Sequence, residues 1–164
     1  ANGNKNLKGD LYNMKIVHLD KKAVDEFCRL RIQLFEELGE ISKNSDLSEL
    51  KMKTYQYYLS HVNKDLFSWG IFQGDSLIAI GSLCLFTRIP YKENLNGLEG
   101  YILNIYTVPE ARKNGYANQI LNAIIEFSQK NNINRLWLNS SEQARHLYLD
   151  KGFTYKENEM ELFL

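Results

Sequence analysis

The sequence has few cysteines and few histidines, and this shortage limits the chemistry that it can support. Its two cysteines, Cys28 and Cys84, are far apart and lie in apolar contexts. Three histidines occur at unrelated spacings, so no set of three or four zinc ligands is visible. We therefore expect no metal site, and two buried free thiols in a reducing compartment.

The chain also lacks net charge and long apolar runs. Lysine plus arginine equals aspartate plus glutamate, 20 of each, whereas a general nucleic-acid-binding protein is usually basic. No apolar run approaches the roughly 20 residues of a membrane span. Residues 1–13 are rich in Asn, Lys and Gly without an apolar centre, unlike a signal peptide. We expect a cytoplasmic protein without nucleic-acid or membrane partners, in which residues 1–13 are a disordered arm or an added remnant.

Hydrophobic periodicity predicts a single α+β, or mixed α/β, domain over residues 14–164. The chain is long enough to bury one substantial core. Predicted helices cover residues 23–38, 46–61, 115–130 and 143–150. Predicted strands cover residues 14–19, 66–72, 77–87, 100–108, 135–139, 153–156 and 159–164.

The most informative stretch leads from a predicted buried strand into the clearest predicted helix. Pro109 ends the strand, Arg112 and Lys113 form a basic turn, and Gly115 precedes the helix. The first N–H groups of a helix lack internal partners and carry partial positive charge, which suits a pyrophosphate. Taken alone, the stretch also fits an ordinary strand-to-helix turn. It matches neither GxxxxGK[ST] nor GxGxxG.

A second segment, about thirty residues further along, changes this interpretation. Residues 112–117, RKNGYA, fit the pattern R/Q-x-x-G-x-G/A. Ala144, Tyr148 and the pair Gly152-Phe153 fit A-x-x-x-Y followed by G-F. In both motifs and in their spacing, the sequence resembles the GNAT superfamily of N-acetyltransferases. Ser141 departs from the pattern, because many members have Asn at that position.

The resemblance implies a fold and a coenzyme. The fold is one GNAT-like acyl-CoA N-acyltransferase domain, with a central, mostly antiparallel, twisted sheet of six to seven strands and about four flanking helices. Its central strand pair splays apart, one strand carries a bulge, and the opened backbone pairs with the pantetheine arm. Acetyl-CoA is the implied acyl donor, without a metal. The residues implied to hold it are Tyr106, Thr107, Val108, Arg112, Lys113, Asn114, Gly115, Tyr116, Ala117, Ser141 and Ala144.

The implied reaction is direct attack of a neutral primary amine on the thioester. Tyr148 is the implied acid for the leaving thiolate, although it could instead be a core tyrosine. Glu99 is a candidate base, and Glu36, Glu40 and Asn104 are candidates for binding the acceptor. Each glutamate could instead be a solvated surface charge, and Asn104 could be satisfied by backbone groups.

The acceptor is the least defined part of the prediction. It is a small-molecule or protein amine, and acidic residues around Glu36 suggest a cationic one. A homodimer is compatible with the resemblance. The rival hypothesis is a non-catalytic module that binds or senses acyl-CoA without turnover, against which the presence of Tyr148 speaks.

Overall fold

The computed structural model describes residues 14–42 and 44–164, so the arm predicted over residues 1–13 lies outside the described residues. Within them, two helices follow the first strand, three consecutive strands come next, and two helices with a short strand between them end the order. The elements are β1 (Ile16–His18), α1 (Val24–Leu38), α2 (Ser48–His61), β2 (Leu66–Gln73), β3 (Ser76–Thr87), β4 (Leu98–Thr107), α3 (Tyr116–Lys130), β5 (Arg135–Trp137) and α4 (Arg145–Leu149).

The long helices begin and end where their capping residues predict. The Asp20 side chain accepts a hydrogen bond from the Lys22 N–H at 2.8 Å, at a short helical turn that leads into α1. Gly39 ends α1 in the left-handed conformation with φ 72°, which a residue without Cβ adopts without strain. Asp46 accepts from the Ser48 N–H at 3.0 Å at the start of α2. Local side-chain chemistry therefore fixes these boundaries.

The five strands form one sheet in the order β1-β2-β3-β4-β5. The first three pairings are antiparallel, and β4 and β5 are parallel. The mixed α+β class and the mostly antiparallel sheet are thus confirmed, but the predicted six to seven strands are reduced to five.

The two missing strands are those predicted over residues 153–156 and 159–164. Neither segment joins the sheet in the structure, and alternation of side chains makes no strand unless a neighbouring backbone completes the ladder. The contacts that place this tail include the hydrogen bond from the Phe153 N–H to the Tyr148 carbonyl at 3.1 Å and the packing of Arg145 over the Tyr155 ring at 5.4 Å.

Helices cover both faces of the sheet. A Cβ at Gly81 of β3 would overlap the side chains of Ile120 and Ile105, so glycine lets α3 approach one face closely. The adjacent Ser82 faces a cavity walled by Phe27 of α1 and Tyr57 of α2, as the alternation of a strand requires. Strands β3 and β4 therefore lie at the centre of the core.

Strand β4 is irregular in two places that matter for the site. Its register against β3 shifts between Ser82↔Leu103 and Ile80↔Tyr106, so β4 carries one extra residue. Asn104 lies in this bulge with φ 58°. On its other side, β4 pairs with β5 only from Glu99 to Tyr101. Beyond Tyr101 the two strands part, as the resemblance implied, and one backbone edge of β4 has no strand beside it.

Candidate active site

The turn after β4 opens directly onto the start of α3. The Val108 N–H donates to the Ile78 carbonyl at 2.9 Å, which anchors the turn to β3. Lys113 and Gly115 both have left-handed backbones, with φ 64° and 76°. A Cβ added at Gly115 would meet no atom within 4 Å. The space in front of the helix start is therefore open.

The first turn of α3 presents backbone donors to this space. Gly115 stands at the N-cap position and has no side chain that could cap the helix. Ala117 adds little bulk, and Tyr116 is buried behind the turn with 2% of its surface exposed. The Asn114 amide donates to the carbonyl groups of Ala111 and Arg112 at 2.9 and 3.2 Å, so it braces the turn. Free N–H groups and the helix dipole make such a helix start suitable for an anion.

Arg112 turns away from the helix start. Its Nε donates to the Thr107 carbonyl at 3.0 Å. Its Nη2 donates to both oxygens of Glu37 at 2.7 and 2.6 Å, and this guanidinium lowers the pKa of the Glu37 carboxyl. The pair joins α1 to the turn after β4. Sequence reasoning missed Glu37 as a partner, because no local pattern links residues 75 positions apart.

Tyr148 lies on α4 and is buried, with 7% of its surface exposed. Burial raises the pKa of its hydroxyl to about 12. Its ring meets Phe153 edge-on at 5.9 Å, and the hydroxyl has no hydrogen-bond partner among the described residues. It lines a groove of about 860 Å³ with Leu138 and Asn139. The group is therefore a neutral, largely desolvated hydroxyl that is free to donate.

The two residues predicted at the start of this helix contact each other. Ser141 Oγ accepts from the Ala144 N–H at 3.3 Å, and Ala144 precedes the first residue of α4. Ser141 thus organises the helix start that carries Tyr148. Within residues 14–42 and 44–164, no hydrogen bond ties this group to the turn at Gly115.

Glu99 lies at the opposite end of β4 from Tyr106. Seven residues at ~3.3 Å each separate the two positions along the strand, roughly 23 Å. The carboxylate is fully buried. It accepts from Tyr91 at 2.8 Å and from Arg135 at 2.9 Å, and Arg88 approaches to 3.6 Å. Both of its oxygens are therefore already engaged.

Asn104 faces a second cavity, of about 590 Å³, between β3, β4, α1 and α2. The side chain is 5% exposed, and neither its nitrogen nor its oxygen has a hydrogen-bond partner in the described part of the chain. Glu36 and Glu40 lie outside the cavity lining. Arg31, which sequence reasoning missed, lines the cavity. The available signal was its position four residues after Phe27, on the buried face of the helix.

Two other kinds of feature are absent from residues 14–42 and 44–164. In that part of the chain, no group of three or more His, Cys, Asp or Glu side chains is placed to hold a metal ion. Nor does it contain a helix with the length and apolar character needed to span a bilayer.

Several solved structures share this fold. A predicted acetyltransferase from Clostridium acetobutylicum, solved with acetyl-CoA, is 26% identical with a TM-score of 0.80, and the match covers 92% of this chain and 96% of that one. A GCN5-related N-acetyltransferase from Ralstonia eutropha is 22% identical, with a TM-score of 0.79 over 93% and 99% of the two chains. Glucosamine-6-phosphate N-acetyltransferase from Arabidopsis thaliana is 16% identical, with a TM-score of 0.69 over 92% and 98%.

Two comparisons of the sequence with known proteins bear on the family to which the chain belongs. No curated protein matches the chain in sequence. The model of the acetyltransferase (GNAT) family, however, matches residues 30–153, which include the β4 bulge, the turn at Gly115 and the helix of Tyr148. The chain therefore belongs to the GNAT family of acetyltransferases.

Proposed function

We propose that this protein transfers the acetyl group of acetyl-CoA to a primary amine. The observation that carries the proposal is the juxtaposition of two backbone features. The unpaired edge of β4 leads within a few residues to the open, uncapped start of α3 at Gly115. An extended arm with amide groups fits the first feature, and a pyrophosphate fits the second.

The residues present fit the coenzyme in a specific way. The β4 edge around Tyr106 and Thr107 would bind the pantetheine arm, while Val108 is already bonded to Ile78 and would support it. The N–H groups near Gly115 and Ala117 would bind the phosphates, with the exposed Lys113 at the rim. The C. acetobutylicum relative solved with acetyl-CoA supports this choice of donor.

When bound, acetyl-CoA would supply an activated acetyl thioester. An acceptor amine with a pKa of ~10.4 costs about 4 to 5 kcal/mol to deprotonate at pH 7, at ~1.36 kcal/mol per unit. We propose that the amine loses this proton to water in the Asn104 cavity. Tyr148 Oη would donate its proton to the leaving thiolate, because burial keeps the hydroxyl neutral, and the second proton that the nitrogen loses as the amide forms would restore this hydroxyl.

For Glu99 we propose a structural role instead of that of the base. Its two oxygens are bonded to Tyr91 and Arg135, and its position is remote from the β4 bulge. A general base must lie within hydrogen-bond reach of the proton it removes, or one water away.

The experiment that tests the proposal is release of free CoA thiol from acetyl-CoA in the presence of a panel of primary amines. Amine-dependent release, with the N-acetylated product found by mass spectrometry, is the expected result. The alternative is a module that binds acyl-CoA without turnover, and tight calorimetric binding of acetyl-CoA with no thiol release from any amine would favour it.

A further inference from the structure

The cavity below Asn104 contains an arginine without an ion pair among the described residues. Arg31 of α1 lines it, and its closest aromatic contact is the Phe35 ring at 4.5 Å from the guanidinium carbon. No hydrogen bond or ion pair of Arg31 is found among residues 14–42 and 44–164. Every other arginine of α1 and of the turn after β4 has such a partner: Arg29 pairs with Glu26, and Arg112 pairs with Glu37.

The surroundings of Arg31 make this unpaired charge unfavourable in the unliganded protein. Burial lowers the pKa of the Arg31 guanidinium, because the charged form loses solvation. Much of the cavity wall is apolar, formed by Phe27, Leu66 and Leu103 among others. Arg31 is half-buried, and a charge that loses solvation is stabilised by a partner. No acidic side chain lines this cavity among the described residues, and Glu40 acts on Arg31 only from outside the lining.

The remaining polar groups of the cavity differ between its two ends. Asn104 lies in the β4 bulge with two unpartnered, buried amide atoms. Lys53 of α2 lies on the exposed side of the lining and adds a second positive charge. One end of the cavity therefore offers the Asn104 amide, in the bulge of the strand proposed to bind the pantetheine arm, and the rest offers cationic donors between apolar walls.

We infer that the acceptor is an amine that also carries a carboxylate, with the carboxylate bound by the Arg31 guanidinium and the amine directed to Asn104. The inference rests on the function proposed above. The planar fork of arginine matches a carboxylate with two parallel hydrogen bonds. A carboxylate fits better than a phosphate monoester, because its single charge suits one guanidinium in a largely apolar cavity. The same features disfavour a polycationic acceptor.

The test compares amines that differ only in the carboxylate. Phenylalanine, leucine and methionine are each assayed beside their decarboxylated amines, with spermidine as a polycation, and kcat/KM is measured by thiol release. The two amines of a pair also differ in basicity. The decisive quantity is therefore the ratio of kcat/KM for the amino acid to kcat/KM for its decarboxylated amine, compared between wild type and Arg31→Gln. We expect this variant to lower kcat/KM for the favoured amino acid by at least about tenfold, the order of a charge-assisted hydrogen bond, while the decarboxylated amine changes by less than about twofold.

Two further variants control the comparison. Lys130→Gln removes one exposed positive charge at the end of α3, outside the cavity lining, and is expected to leave every ratio unchanged. Arg31→Lys keeps the positive charge but lacks the planar guanidinium. We expect its kcat/KM for the favoured amino acid to lie between the values of wild type and Arg31→Gln. Melting temperatures of all variants show whether an effect reflects loss of the fold.

A binding measurement separates failure of the inference from failure of the proposed function. The N-acetylated amino acids are titrated calorimetrically into wild-type protein and Arg31→Gln, both saturated with CoA. Binding that depends on Arg31 supports the inference even without turnover, in which case only the proposed function fails. Turnover of decarboxylated amines or spermidine with no effect of Arg31→Gln would overturn the inference and leave the proposed function intact. Absence of both turnover and binding would overturn the two together.

Discussion

The hydroxyl of Tyr148 combines burial with the lack of a hydrogen-bond partner among the described residues. Tyr148→Phe removes this hydroxyl and keeps the ring contact with Phe153. If Tyr148 is the acid, we expect kcat to fall about a hundredfold or more, while calorimetric affinity for acetyl-CoA changes little. An equal loss of kcat and affinity would instead identify Tyr148 as a packing residue.

The raised pKa of the Tyr148 hydroxyl leads to a prediction about the pH dependence of kcat. Its hydroxyl has a pKa of about 12, above the ordinary value of ~10, so the protonated form persists at all pH values below this range. The kcat of the wild type should therefore show no falling limb from this group between pH 8 and 10. A Tyr148-dependent loss of kcat with an apparent pKa near 9 would contradict the assignment.

The buried carboxylate of Glu99 is expected to matter for stability instead of turnover. Glu99→Gln would leave Arg135 without its buried counter-charge, and loss of one partner of such a pair costs roughly 3 to 5 kcal/mol. Urea unfolding measures the loss, with the exposed Glu93→Gln as the control. A stable Glu99→Gln protein with a hundredfold lower kcat would favour the role of base.

Elements whose signals are local in sequence were predictable. The helices have capping residues such as Asp20 and Gly39, and α3 has a regular apolar face, so the bounds of these helices, including the short α4, agree with the structure to within two residues. The last two predicted strands failed because a strand depends on a neighbour that its own sequence does not specify. The turn at Gly115 was likewise visible from a few adjacent residues, whereas the Arg31 cavity joins α1, α2, β3 and β4 and has no contiguous pattern.

The turn between β4 and α3 permits a controlled test of the coenzyme site. Gly115→Glu places a carboxylate where the phosphates are proposed to bind, so affinity for acetyl-CoA should fall by at least a hundredfold in calorimetry, since repulsion adds to the strain of a positive φ. Gly74→Glu is the matched control: Gly74 also has a positive φ, 61°, and open space around it, but lies in the β2–β3 hairpin. Equal effects of the two substitutions on affinity would rule out the proposed phosphate site.

The whole molecule has a sheet that is incomplete along one edge of β4. A coenzyme arm on this edge would bind the native state alone, and a ligand at a hundred times its Kd adds about 2.7 kcal/mol to the free energy of unfolding. We expect acetyl-CoA to raise the melting temperature. Hydrogen exchange should slow at residues 102–107 and 113–118, while β1 amides serve as the internal control. Protection confined to other elements would place the coenzyme elsewhere.

The extra residue in β4 has a consequence for every side chain that follows it. In an unbroken strand, residues three apart point to opposite faces, yet Leu103 and Tyr106 lie opposite Ser82 and Ile80, which share one face. The bulge at Asn104 thus acts as a phase shift that turns Tyr106 towards α1 and the Glu37–Arg112 pair. A regular strand of the same length, without the bulge, would send Tyr106 to the α3 side. The extra residue and the bulge therefore depend on each other: a substitution at Asn104 would alter one contact, whereas deletion of one residue would keep Leu103 and Tyr106 on their shared face and remove the bulge altogether.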